Sequence, residues 1–134
     1  MNSKSKWLIY TVLVGLIPMF SRFLIWVVTT PGTVNIISSS DFIAFGLILH
    51  ISNINEIEHF DSKDRDWKTR HNGFSIVFIA IYTVLFSLTM LSEGVSSINT
   101  SYIERCAIAL SMVSFLLSFI VFDRITKLSS KEVA

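Results

Sequence analysis

The chain has a single cysteine, Cys106, which excludes an intrachain disulfide and any cysteine-built metal centre. Its three histidines, His50, His59 and His71, lie too far apart to form a metal-ligand signature, so no metal site is expected. It lacks a glycine-rich phosphate loop, a G-x-S-x-G elbow and an H-E-x-x-H helix. Cys106 has no obvious activating base nearby in sequence. No catalytic residue and no cofactor is therefore expected, and the chain reads as a non-enzyme. Glycine and proline are sparse, with 5 and 2 residues, so few breaks interrupt the chain. Only 16% of residues are charged, too few to cover a soluble domain of 134 residues. The net charge of +1 says little by itself, because the arrangement of the charges carries the information.

What is present is apolar: 51% of the residues, gathered in blocks. Trp7–Val28, Phe74–Glu93 and Ile103–Phe122 each approach the ~20 residues that cross a ~30 Å hydrocarbon layer. A fourth stretch, Ser40–Phe60, begins in the same way. It then turns polar after about ten residues, bringing Ser52, Asn53, Asn55, Glu56, Glu58 and His59. Lipid cannot solvate that second half, so protein or water must surround it. The expected fold is an all-α membrane protein, a single domain over residues 1–134. Its four transmembrane helices would span about residues 7–28, 41–58, 74–93 and 103–122.

Lys4 and Lys6 precede the first span, and no small-residue cleavage site follows, so the segment reads as a retained anchor. Trp7 and Trp26 are placed to mark the two interfaces, and Pro18 is expected to kink the helix between them. Arg22 is the one full charge well inside this span. Either it snorkels one turn to the interface, or it forms an intramembrane ion pair with Asp41, which opens the second helix at the same level. Ser38 to Ser40 offer N-cap hydroxyls for that helix.

Along the second helix, Gly46, His50, Asn53 and Ile57 share a face. His50 reads as a hydrogen-bonded packing residue rather than a proton carrier. With Asn53, Asn55, Glu56 and Glu58 it forms a polar face that would meet a partner or line a vestibule. Asp61–Asn72 is a mixed-charge cytosolic loop in which Lys63, Arg65, Lys68 and Arg70 surround Trp67. That indole is expected at the headgroups. The alternating signs disfavour direct sequence-specific nucleic-acid binding. Small-residue stripes, Ala80-Thr83-Ser87 in the third span and Ala107-Ser111-Ser114-Ser118 in the fourth, read as helix-packing faces. Asn99-Thr100-Ser101 matches a glycosylation sequon, a weak signal. The basic residues predict orientation. The terminal lysines, the loop and the tail with Arg124, Lys127 and Lys131 all fall on one side, so both termini should be cytoplasmic.

In length, span plan and charged loop, the chain resembles the small membrane subunits of prokaryotic antiphage systems, the Kiwa membrane subunit first among them. The nearest thing to a signature is DFIAFGLILHISNINEIEHF, Asp41–Phe60. The resemblance implies a homo-oligomer in the bacterial inner (plasma) membrane that works with a cytosolic protein partner during infection. It assigns no residue roles. From the residues themselves two functions stand open. One is an assembly protein, with the lipid bilayer, further copies of itself and a cytosolic protein as partners. The other is a small ion channel or solute transporter with a cytosolic vestibule lined by the second helix.

Overall fold

The computed structural model describes residues 3–60 and 64–133, and among these no strand occurs. Helix α1 (Ser3–Trp7), a π-helical turn (Leu8–Val12) and α2 (Leu13–Val28) follow one another without a gap. α3 (Ser39–His59), α4 (Arg65–Ser92) and α5 (Thr100–Val133) complete the bundle. Helix continues straight through Pro18, and the irregular turn lies earlier, at Leu8–Val12. Three stretches are long and apolar enough to cross a membrane: Ser5–Val28, Arg65–Ser92 and Thr100–Lys131. Their outward faces carry residues such as Ile17, Leu24, Val84, Phe86, Leu116 and Ile120 in the open. That surface is stable only against lipid.

α3 is the helix the others enclose. It packs on α4, α5 and α2, whereas α2 touches neither α4 nor α5 among the described residues. Its glycine lets a neighbour come close: a Cβ on Gly46 would collide with the ring and hydroxyl of Tyr82. On the other side, a Cβ on Gly15 of α2 would press against the Phe45 ring. Two apolar clusters flank the polar centre. One joins Phe45, Leu49 and Ile57 to Val121, Phe122 and Ile125, and the other joins Ile43 to Tyr82, Leu85 and Ala107.

Several sequence expectations change here. Trp7, expected to mark an interface, is turned into the bundle: it is 2% exposed and stacks on Phe122 with ring centroids 5.0 Å apart. Three α5 phenylalanines surround its apolar body. The expected loop Asp61–Asn72 is helical from Arg65 onward, because Asp64 caps α4 by accepting the Trp67 backbone N–H at 3.0 Å. Lys63, with Asp61, lies outside the described residues. The tail after Asp123 likewise continues as helix to Val133. Ser38 takes the N-cap position of α3, but its hydroxyl pairs with Ser40 rather than with a backbone amide. Asn99 accepts from the Ser101 backbone N–H, so the sequon asparagine serves the start of α5. The Ala80-Thr83-Ser87 stripe faces outward rather than into the bundle, and Thr83 and Ser87 donate to carbonyls of their own helix. The inner face of α4 is Ser75, Tyr82 and Leu85 instead.

The two helical glycines with opposite surroundings test this packing. Gly46→Ala should cost about 1–3 kcal/mol through overpacking on Tyr82. Gly73→Ala, where a Cβ meets open space, should be neutral or gain up to about 1 kcal/mol. Reversible unfolding in mixed micelles measures both, and equal effects would mean that α3 and α4 do not approach closely at Gly46.

Candidate functional site

The polar residues of α3 divide into two sets. His50 and Asn53 point into the bundle and are 1% and 2% exposed, while Asn55, Glu58 and His59 are open and Glu56 is half-buried. The reason is helical spacing: Gly46, His50, Asn53 and Ile57 form one stripe, and α4 and α5 close over it. The five residues expected to form one face therefore do not act together. His50 and Asn53 line no vestibule in this protomer.

Hydroxyls from the facing helices receive them. His50 Nδ1 lies 3.2 Å from Ser75 Oγ on α4, and Nε2 lies 2.8 Å from Ser114 Oγ on α5. Tyr82 Oη is 2.6 Å from the same Ser114 oxygen. Asn53 Nδ2 donates to Ser118 Oγ at 2.8 Å, and Thr11 and Ser52 pair at 2.9 Å. The ring of Phe78 stacks on the His50 imidazole at 4.8 Å. Two helices of the serine stripe expectation thus separate: the α5 stripe packs inward, and its Ser114 and Ser118 are the hydrogen-bonding partners of α3. Ser75 and Tyr82 carry no sequence signal of their own.

Three hydrogen bonds link Tyr82, Ser114, His50 and Ser75 in one buried run. Donation along the run in one direction leaves the Ser75 hydroxyl proton over, and in the other direction the Tyr82 proton, so the run fixes the positions of the three helices rather than a direction. Such a run can fix helix register. Among the described residues three buried side-chain atoms have no hydrogen-bond partner: Asn53 Oδ1, Trp7 Nε1 and, at the terminal end, Asn72 Oδ1.

Charged groups gather at the two ends. Arg22 Nε donates to Asp41 Oδ2, tying the middle of α2 to the first turn of α3, with the side chains 27% and 11% exposed. Trp26, a turn beyond, is exposed. At the other end, Trp67 is 6% exposed and lies under the Arg124 guanidinium, 4.7 Å from the ring centre, so it meets protein rather than headgroups. Arg124 also reaches Asp64 at 3.3 Å, and Asn72 donates to Glu58. Arg65 and Arg70 are exposed and Lys68 is half-buried, so these cations do not form a single cluster with Trp67. Among the described residues, no group of three or more His, Cys, Asp or Glu side chains is arranged to hold a metal ion.

No family model matches the chain, and comparison with curated proteins and with solved structures gives no match either. The class rests on the fold itself. This is an all-helical membrane protein whose apolar outer helices surround one helix with a hydrogen-bonded polar face.

The ion pair is testable by a double-mutant cycle. Arg22→Ala and Asp41→Ala should each cost about 2–4 kcal/mol, the price of one unpaired charge at that depth. The double variant should lose much less than the sum, read as folded fraction after solubilisation. Additive losses would show that Arg22 does not depend on Asp41.

Proposed function

We propose that the chain is a non-enzymatic, four-span protein of the bacterial inner membrane, with both termini cytoplasmic. In this reading it assembles as a homo-oligomer and offers its terminal end to a cytosolic protein. The carrying observation is the excess length of two helices. At 1.5 Å per residue, the 28 residues of α4 and 34 of α5 run about 42 and 51 Å, against about 30 Å of hydrocarbon. The surplus is charged and lies at one end: Arg65 to Arg70 on α4 and Asp123 to Lys131 on α5. There it flanks the open polar residues of α3, namely Asn55, Glu58 and His59. The same charges support the orientation, since basic residues collect on the cytoplasmic side.

Homo-oligomer formation is supported by the outward stripe of Ala80, Thr83 and Ser87, small residues that let a second helix approach closely in lipid. Conduction is the weaker reading, because the buried polar residues spend their hydrogen bonds on one another rather than on a water path. By the resemblance to antiphage membrane subunits, the setting for partner docking is infection, with the protein serving as sensor or effector.

The test captures cytosolic proteins from the source cell on the purified chain and takes the protein retained as the candidate partner. Arg65→Glu, Lys68→Glu and Arg70→Glu together should weaken its co-purification at least tenfold while crosslinked oligomers persist. Purified wild-type protein in liposomes should show no ion flux. Undiminished co-purification, or flux without a partner, would contradict the docking reading.

A further inference from the structure

At the end of the bundle away from the termini lies a cavity of about 500 Å³, framed by the α2–α3 connection, the end of α4 and the start of α5. That volume suits a small polar molecule. Its lining carries charges of both signs. Arg22 comes from α2, whereas Glu93 at the end of α4 and Glu104 in α5 are in no ion pair among the described residues.

Arg22 commits only Nε to Asp41. A guanidinium has five N–H donors, so the four on its two Nη atoms remain for something else. Asp41 offsets the formal charge of Arg22, which means that an anion there is recognised by the geometry of the donor fork more than by net charge. In the same lining, Thr89 and Ser92 spend their protons on the carbonyls of Leu85 and Thr89, which leaves their oxygens as acceptors alongside the two carboxylates. The last carbonyls of α4 add partial negative charge there.

A simple anion would face two unpaired carboxylates. A simple cation would leave the Arg22 donors unmet. Both signs are satisfied together by one molecule carrying an anionic group and a protonated amine. A second cavity of about 260 Å³, lined by Pro18, Ser21 and Ile25, shares Arg22 and Val34 with the first. Arg22 is thus shared by a polar chamber and a smaller cavity on the flank of α2, which Asp41 also lines.

We propose that this cavity binds a phosphoethanolamine-type zwitterion, its phosphate on the free Arg22 N–H groups and its primary ammonium on Glu93 and Glu104. The group can arrive as a free solute or as the headgroup of a phosphatidylethanolamine lipid. The inference is independent of the docking reading of the opposite end.

Calorimetric titration of the purified full-length chain in maltoside micelles tests it with three probes: phosphoethanolamine, phosphocholine and ethanolamine. Phosphoethanolamine should bind at least tenfold more tightly than the other two, because phosphocholine has no N–H to donate and ethanolamine has no phosphate. Glu93→Gln with Glu104→Gln, side chains at the open end of the bundle, should reduce that affinity at least tenfold with an unchanged melting midpoint. Arg22→Lys, which keeps a cation beside Asp41 but not the fork, should weaken it as well. Repeating the titration in nanodiscs separates the sources. Loss of phosphoethanolamine binding in phosphatidylethanolamine discs but not in phosphatidylcholine discs assigns the lipid. Equal binding in both assigns the free solute. Equal affinity for all three probes, no binding of any, or indifference to the double Glu→Gln change would overturn the proposal.

Discussion

The fold depends on how α3 hides the polar side chains of His50 and Asn53 between α4 and α5. A buried imidazole or carboxamide in lipid has to find donors and acceptors within the protein, since water is not there to supply them. Here Ser75 and Ser114 serve both nitrogens of His50, Tyr82 holds Ser114, and Ser118 takes the Asn53 amide N–H, while Asn53 Oδ1 has no partner. These hydrogen bonds fix the position of α3 against both α4 and α5. Sliding α3 by one turn would strand His50 and Asn53 together. The close approach at Gly46 works to the same end, for it lets the Tyr82 hydroxyl reach Ser114 past the α3 backbone.

This arrangement separates the molecule into a sealed middle and two chemically distinct ends. The middle is apolar outside and hydrogen-bonded inside. The terminal end is a helical extension held by Asp64, Trp67 and Arg124, with mixed charge on its surface. The loop end is a chamber beside Arg22 and Asp41. A ligand at the loop end and a protein at the terminal end would both bear on α3, since that helix runs between them.

Much of this was legible in the residues. The three apolar blocks marked the spanning helices, and the loss of hydropathy after Ile51 marked α3 as different. The shared face of Gly46, His50, Asn53 and Ile57 followed from helical periodicity alone. Contact between Arg22 and Asp41 was one of two open readings, and the structure places the side chains together. What could not be read has physical reasons. Tryptophan prefers both interfaces and aromatic packing, so Trp7 and Trp67 gave no sign that they turn inward. Small residues announce that something comes close without saying what, which is why one serine stripe faces α3 and the Ala80 stripe faces away. The 61–72 segment looked like a loop because its charges alternate, yet Asp64 is a helix cap. Tyr82 was silent because a tyrosine within an apolar run also suits a core.

The central claim is that the His50 and Asn53 face of α3 is closed to water while the Asn55 and Glu58 face is open. Cysteine accessibility measures this most directly. In a Cys106→Ser background, Asn53→Cys and Asn55→Cys are each exposed to a water-soluble maleimide in permeabilised membranes, and their labelling rates compared. The account predicts labelling at position 55 at least tenfold faster than at position 53. Equal rates would contradict it, placing water along the inner face of α3 and making that face the wall of a pore.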